Sequence, residues 1–181
     1  MPFTPIQTDR LTLRGYEPSD IPALVPLIGA REVAATTLRI PHPYTEAIAR
    51  DFIALAKDEL ATGKCLRLGI FLRESNTLCG GVGLMLEPDH RRAELGYWIG
   101  VPYWGKGYAT EAARAAVNYG FSTLDLHRIF ASHVPGNPAS GGVLRKIGMR
   151  HEGRVRGHIL KWGEFLDLEM YGMLASDAAA G

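Results

Sequence analysis

The stretch Tyr103-Trp-Gly-Lys-Gly-Tyr-Ala-Thr-Glu111 constrains this chain more than any other. It joins an alternating pattern, Arg91 to Gly100, to an apolar helical pattern, Ala109 to Leu124. A loop without side chains at Gly105 and Gly107 can press its backbone N–H groups against a ligand. The helix that follows adds free N–H groups and the positive end of its dipole. Strand, loop and helix N-terminus together make a phosphate site inside a β-α-β crossover.

Bulk properties bound the rest. With 181 residues the chain is long enough for one well-cored domain and short for two. Lys+Arg 20 against Asp+Glu 19 leaves +1, so no field favours DNA, RNA or an anionic membrane. Cys65 and Cys79 are too few for a disulfide framework or a cysteine zinc site, and a reduced cytoplasm is expected. The six His are scattered and none pairs at i, i+4 with a carboxylate, so no metal is expected. Met-Pro-Phe-Thr-Pro carries no export signal, and no apolar run approaches the ~20 residues of a membrane helix. One domain is expected over 1–174, with 175–181 as a loose tail.

Periodicity orders the elements. Leu11 to Arg14 alternates as a strand, and Ser19 or Asp20 can cap a helix to about Ile28. Thr45 can cap a second helix to about Thr62, stopped by Gly63. Leu66–Leu72 and Leu78–Leu86 read as a hairpin, and Arg128–Val134 as a strand. Ser140–Ile147 reads as a short helix, followed by strands Met149–Leu160 and Phe165–Met173. The order is α+β, antiparallel before the glycine loop and crossing over through it.

Three ligands fit a glycine loop. Gly100 to Lys106 matches the first part of a nucleoside-triphosphate P-loop, but Gly107 stands where a magnesium-binding hydroxyl is needed. Gly105-x-Gly107-x-x-Thr110 lacks the third glycine of a dinucleotide site, and no acidic residue closes the next strand. The third ligand is coenzyme A.

Here the residues carry a family resemblance. Trp104-Gly-Lys-Gly-Tyr-Ala-Thr-Glu111 resembles the acyl-coenzyme A signature of the GNAT N-acetyltransferases. Asn137-Pro-Ala-Ser140 with Val143-Leu-Arg-Lys-Ile-Gly-Met149 and Glu152-Gly153 resembles the second acyl-coenzyme A segment. Thr8-Asp-Arg-Leu-Thr-Leu-Arg14 resembles the opening strand, and Ala93-Glu-Leu-Gly-Tyr-Trp98 the central one. The likeness is strongest to the branch containing the ribosomal-protein N-terminal acetyltransferases. It departs from the family at Trp104, where many members have Gln or Arg, and at Leu144, where many have a Tyr that protonates the leaving thiolate.

The resemblance implies a mostly antiparallel sheet of six to seven strands, splayed at its centre and flanked by about four helices. It implies acetyl-coenzyme A as co-substrate and a primary amine, a protein N-terminus or a small amine, as acceptor. Attack would be direct, in a ternary complex. Backbone at Trp98, Ile99 and Gly100 would pair with the pantetheine arm, and the segment from Trp104 through Gly105, Lys106, Gly107, Tyr108 and Ala109 to Thr110 would hold the pyrophosphate. Asn137 and Ser140 would meet the arm and sulfur, and Lys146 a phosphate.

Arg91 to Gly100 sends Ala93, Leu95, Tyr97 and Ile99 to one face, a core-like set, and Glu94, Gly96, Trp98 and Gly100 to the other. Glu94 is the candidate general base, with a salt bridge as its plain alternative. Ser140 is the candidate donor to sulfur, with a helix N-cap as its alternative. His133 is a possible second base, or a satisfied structural histidine. By resemblance the acceptor meets Leu38–Thr45 and His158–Leu166, which offer Arg39, His42, Tyr44, His158, Trp162 and Asp167. Non-catalytic acyl-coenzyme A binding is the competing reading, and apolar C-terminal strands could support a homodimer.

Overall fold

The computed structural model describes residues 3–178. β1 (Ile6–Gln7), β2 (Leu11–Arg14), β3 (Cys65–Leu72), β4 (Thr77–Glu87) and β5 (Arg92–Ile99) lie side by side, each antiparallel to the last. β6 (Arg128–His133) runs parallel to β5, because α4 (Tyr108–Ser122) carries the chain back between them. β8 (Glu164–Leu174) and then β7 (Arg150–Lys161) complete an eight-stranded sheet.

The remaining helices are α1 (Ile21–Ile28), α2 (Arg31–Thr36), α3 (Glu46–Thr62), α5 (Pro138–Lys146) and α6 (Ala175–Ala178). Thr45 caps α3 as its sequence predicts, accepting the Ile48 N–H at 3.3 Å, and Gly63 ends it. The counts exceed expectation by the two-residue β1 and by α2 and α6, which are too short to show a helical period. The expected loose tail does not begin at 175. Asp177 accepts the Leu174 N–H at 3.0 Å and pairs with Arg150 at 3.0 Å, which folds 175–178 onto the sheet. The remainder of that expected tail, 179–181, lies outside the described residues.

The sheet divides the interior into two cores. On one face α4 lays Ala112, Ala113, Ala116 and Val117 against Leu68, Leu84, Ala93 and Leu95. Alanines on the helix let it approach the strands closely. On the other face α1 and α3 bury Leu24, Ile28, Ala49 and Ile53 with Tyr16 and Phe71, and Trp98 packs against this set. β5 belongs to both cores, with Leu95 and Ile99 in the first and Trp98 against the second.

Gly81 of β4 makes room for this second core. A Cβ there would overlap both the Tyr16 hydroxyl and the Trp98 indole nitrogen. Gly81→Ala is therefore expected to cost about 1–3 kcal/mol by overpacking. Thermal unfolding should fall by several degrees, and an unchanged melting temperature would show that Tyr16 and Trp98 are not tightly placed.

Candidate active site

The site begins where two strands part. β4 pairs with β5 along its length to Gly80–Ile99, but β5 pairs with β6 only at Arg92–Arg128, Ala93–Ile129 and Glu94–Phe130. From Leu95 onward β5 has no strand on its β6 side. Backbone groups in an antiparallel pair alternate between the partner and the far side. The Gly100 N–H donates to the Cys79 carbonyl at 2.9 Å, which turns the backbone groups of Trp98 and Gly100 to β4 and those of Tyr97 and Ile99 to the gap. Of the three residues expected to pair with a ligand arm, Ile99 alone faces the opening. Its carbonyl accepts the Trp104 indole N–H at 2.6 Å. Trp104 thus braces the loop to the strand end.

The glycine loop lies beyond the open end of β5. Gly105 and Gly107 have φ of +75° and +81°, a region L side chains rarely adopt. Gly107 is the N-cap of α4, and no side chain caps the helix. Its first N–H groups therefore remain free for an anion. The Lys106 ammonium sits 5.4 Å from the Tyr103 ring centre, off the cavity wall. The Lys106 carbonyl accepts from Arg10 Nη1 at 3.0 Å. Arg10 is in turn held by Glu111 in the first turn of α4, through its backbone N–H at 2.9 Å and its Nε at 2.7 Å. The Thr8 hydroxyl donates to the same carboxylate at 2.6 Å. This bracket was not foreseen: Thr8 to Arg14 reads only as a strand, and partners a hundred residues apart leave no local signal. Burial alone would raise the Glu111 carboxyl, but the hydrogen bonds from Thr8 and Arg10 outweigh it and hold the carboxyl below its usual range.

A cavity of about 590 Å³ runs through the gap and touches both sheet faces. Toward α4 its wall includes Trp104, Gly105, Gly107, Tyr108, Ala109 and Thr110, with Lys146 at the edge of α5. Toward α1 and α3 it includes Glu94, Trp98 and Arg39.

At the middle stands the N-terminus of α5. Asn137, not Ser140, is its N-cap: Asn137 Oδ1 accepts the Ser140 N–H at 3.2 Å. The Asn137 amide donates to the Thr36 carbonyl at 3.2 Å, so its polar atoms are engaged within the protein. Ser140 is one turn in, with its hydroxyl 2.8 Å from that of Tyr97. The Tyr97 hydroxyl also lies 3.1 Å from the Ser140 carbonyl, to which it can only donate. Alternation placed Tyr97 on the core face, and that holds for its ring. Because the strands part there, its hydroxyl emerges beside Ser140, a meeting no spacing predicts. Burial pushes the Tyr97 phenol up to about 12, so it carries its proton at neutral pH. Leu144 is fully buried, and the phenol beside Ser140 comes from β5 instead.

His133 is not the satisfied structural histidine of the alternative reading. Its Nδ1 lies 2.8 Å from the Val134 carbonyl and so carries a proton, while Nε2 is buried without a partner. It sits on the cavity wall, against Gly141.

The residues expected around the acceptor separate into three groups. Arg39 is on the cavity wall, with Nη2 2.7 Å from Glu94 Oε2. Glu94 thus has the salt bridge of its plain alternative, with a partner from the acceptor loop. His42 and Trp162 have ring centres 6.5 Å apart and flank a separate shallow pocket with Arg31. Tyr44, His158 and Asp167 are off both walls. Tyr44 is buried in the second core, His158 is exposed on β7, and Asp167 accepts the Gly157 N–H at 2.8 Å across an irregularity in that strand. Lys161, absent from the expected set, fastens the hairpin to the acceptor loop by donating to the Ala34, Ala35 and Thr37 carbonyls. With Asn137 it satisfies the carbonyls that a helix end leaves open.

Residues 10–150 match the model of the acetyltransferase (GNAT) domain. The chain belongs to the GNAT acetyltransferase family. It is 34% identical over 176 residues to the N-acetyltransferase p20 of Bacillus licheniformis, covering 96% of this chain and 98% of that protein. The crystal structure of a GNAT-family acetyltransferase from Bacillus anthracis superposes with a TM-score of 0.84 at 30% identity, over 96% and 99% of the two chains. RimL, a ribosomal L7/L12 α-N-protein acetyltransferase solved with coenzyme A, shares the fold with a TM-score of 0.86 at 23% identity, over 94% and 98%. Acetyl-coenzyme A is the donor in this GNAT enzyme and an amine is the acceptor class.

The glycine loop fits that donor: the space beside Gly105 is open, the helix is uncapped, and the loop residues Gly105 and Gly107 line the cavity. Both cysteines are buried, and burial pushes the Cys65 thiol up to about 11 and Cys79 up to about 12. Neither is a thiolate at neutral pH, which leaves no cysteine nucleophile for an acyl-enzyme.

Glu111→Gln tests the bracket. Because the folded carboxyl titrates below its unfolded value of 4.5, its stabilisation is present above that pH and is lost as pH falls through the lowered folded value. The variant should melt below wild type at pH 7, and the difference should shrink in acid below about 4.5. The Michaelis constant for acetyl-coenzyme A should rise as the loop loosens. A melting difference independent of pH would contradict this account.

Proposed function

We propose that the protein acetylates a primary amine by direct attack on acetyl-coenzyme A, both bound together in the cavity through the sheet. The observation that carries this reading is the position of Glu94 on one side of the opening and of the Tyr97–Ser140 hydroxyl pair on the other. Acetyl-coenzyme A supplies an acyl group activated as a thioester. The free N–H groups at the start of α4 hold its pyrophosphate, and Lys146 adds positive charge. The backbone of Tyr97 and Ile99 offers hydrogen bonds along the gap, where β5 lacks a neighbour.

A substrate amine arrives mostly as ammonium, with a pKa near ~8 to ~10. Glu94 accepts its proton directly or through water and leaves a nucleophilic lone pair. When Tyr97 turns its proton from the Ser140 carbonyl to the Ser140 Oγ, the Ser140 proton is freed to donate toward sulfur as the thiolate departs. A thiol of pKa near ~8.5 leaves with such help and needs no strong acid. The Tyr97–Ser140 pair thereby takes the role that many relatives give to a tyrosine at the Leu144 position.

Amine-dependent release of coenzyme A is the direct test. Glu94→Gln should lower kcat by about 100- to 1,000-fold while coenzyme A still binds. Unimpaired turnover would remove Glu94 as base. Absence of release with any of a broad set of amines would favour a binding module. Tyr97→Phe should lower kcat by about 10- to 100-fold with a smaller change in the Michaelis constant of the thioester. The loss should diminish with a thioester of a more acidic thiol; an equal loss with both would make Tyr97 a structural residue only.

A further inference from the structure

The acceptor side of the cavity has an unusual charge arrangement. Among the described residues, Glu94 is the sole carboxylate on the cavity wall, whereas Arg39, Arg67 and Lys146 are cationic. Lys146 lies at the donor end. Arg67 is already held by Glu59, with Nε 2.5 Å from its carboxylate. Arg39 has a different situation. Its Nη2 contacts Glu94 at 2.7 Å, and its other terminal nitrogen faces only the Met85 thioether, a weak acceptor. Its side chain is 62% exposed and that of Glu94 19% exposed, so an entering molecule meets the guanidinium before the carboxylate.

Arg39 holds only Oε2 of Glu94, so an amine that reaches the other carboxylate oxygen stands beside the guanidinium and competes with it for the charge. The exposed guanidinium is then left to water, or to an anion that the acceptor brings with it. A polyamine worsens the imbalance by adding further cations to a wall with one carboxylate. A peptide N-terminus brings an amide where the anion is needed. A molecule with ammonium and carboxylate on the same carbon restores both pairs at once, because its two charges are about as close as those of the Arg39–Glu94 pair it opens. The same cavity is also lined by the apolar side chains of Leu38 and Ile40, either side of Arg39 in sequence, and by Tyr16 and Phe52.

Resting on the transferase reading above, we propose that the acceptor is a free α-amino acid with an apolar side chain. Arg39 holds its carboxylate, Glu94 takes the proton from its amine, and its side chain lies against those apolar side chains. The nitrogen–acyl bond forms as the carbon–sulfur bond breaks. The ammonium gives up one proton to Glu94 before attack and the nitrogen a second afterwards. One of the two is balanced by the proton the thiolate gains through Ser140, and the other goes to solvent. The products are an N-acetyl amino acid and coenzyme A.

The test compares coenzyme A release with free L-leucine, L-phenylalanine, L-methionine and L-valine, their amides, a short peptide and spermidine, for wild type, Arg39→Gln and Arg39→Lys. At least one free acid should exceed its amide in kcat/KM by about 10- to 100-fold, the range for a charge-assisted pair. The ratio should fall toward one in Arg39→Gln and recover in part in Arg39→Lys. Turnover of amides, peptide or spermidine as good as that of the acids, or an undiminished ratio in Arg39→Gln, overturns the proposal and leaves the transferase reading standing. No release with any amine overturns both.

Discussion

The parting of β5 from β6 after Glu94 is the constraint on which the rest of the structure depends. A buried strand with nothing on one side leaves backbone donors and acceptors without partners, and proteins tolerate this where a ligand takes the partner's place. The two halves of the sheet each complete their own pairing. β5 is zipped to β4 to its end, and β6 is paired along its length with β8. Each ladder holds its strand in its own half of the sheet. The opening is therefore built into the topology, and a passage between the two faces comes with it.

Everything around the opening braces it from a distance. On the donor side, Thr8 and Arg10 grip Glu111 and the Lys106 carbonyl, so the first strand region fixes the glycine loop. On the acceptor side, Lys161 and Asn137 donate to the last carbonyls around α2 and set the loop that carries Arg39. These polar contacts leave the first turn of α4 and the Glu94 side of the gap accessible. In the proposed reading the division of labour follows from the sheet itself, with the phosphates at the α4 face and the acceptor at the α1 and α3 face.

Local features of this arrangement were legible in the sequence. Alternation along β5 assigned its two faces, Thr45 and Gly63 bounded α3, and Gly105 and Gly107 marked the tight loop before α4, each through a short-range rule. What escaped is non-local. α2 has only six residues, too few to display a period, yet it carries the carbonyls that Lys161 caps. Tyr97 reads as core, and only the strand separation brings its hydroxyl to Ser140. Tyr44 reads as an aromatic on a binding loop, but that loop folds inward and buries it beside Gly29. Resemblance supplied the donor. Arg39 and Glu94 meet across 55 residues of sequence, which is why they become informative only as a pair.

Amide hydrogen exchange with and without coenzyme A tests the central claim most directly. If the ligand completes the sheet where β6 leaves β5, protection should rise together at the end of β5 around Tyr97 and Ile99 and from the glycine loop through the first turn of α4, Gly105 to Glu111. Strands β1 to β3 should change little. Protection confined to the glycine loop, with the end of β5 unchanged, would contradict the claim that the gap is the donor site.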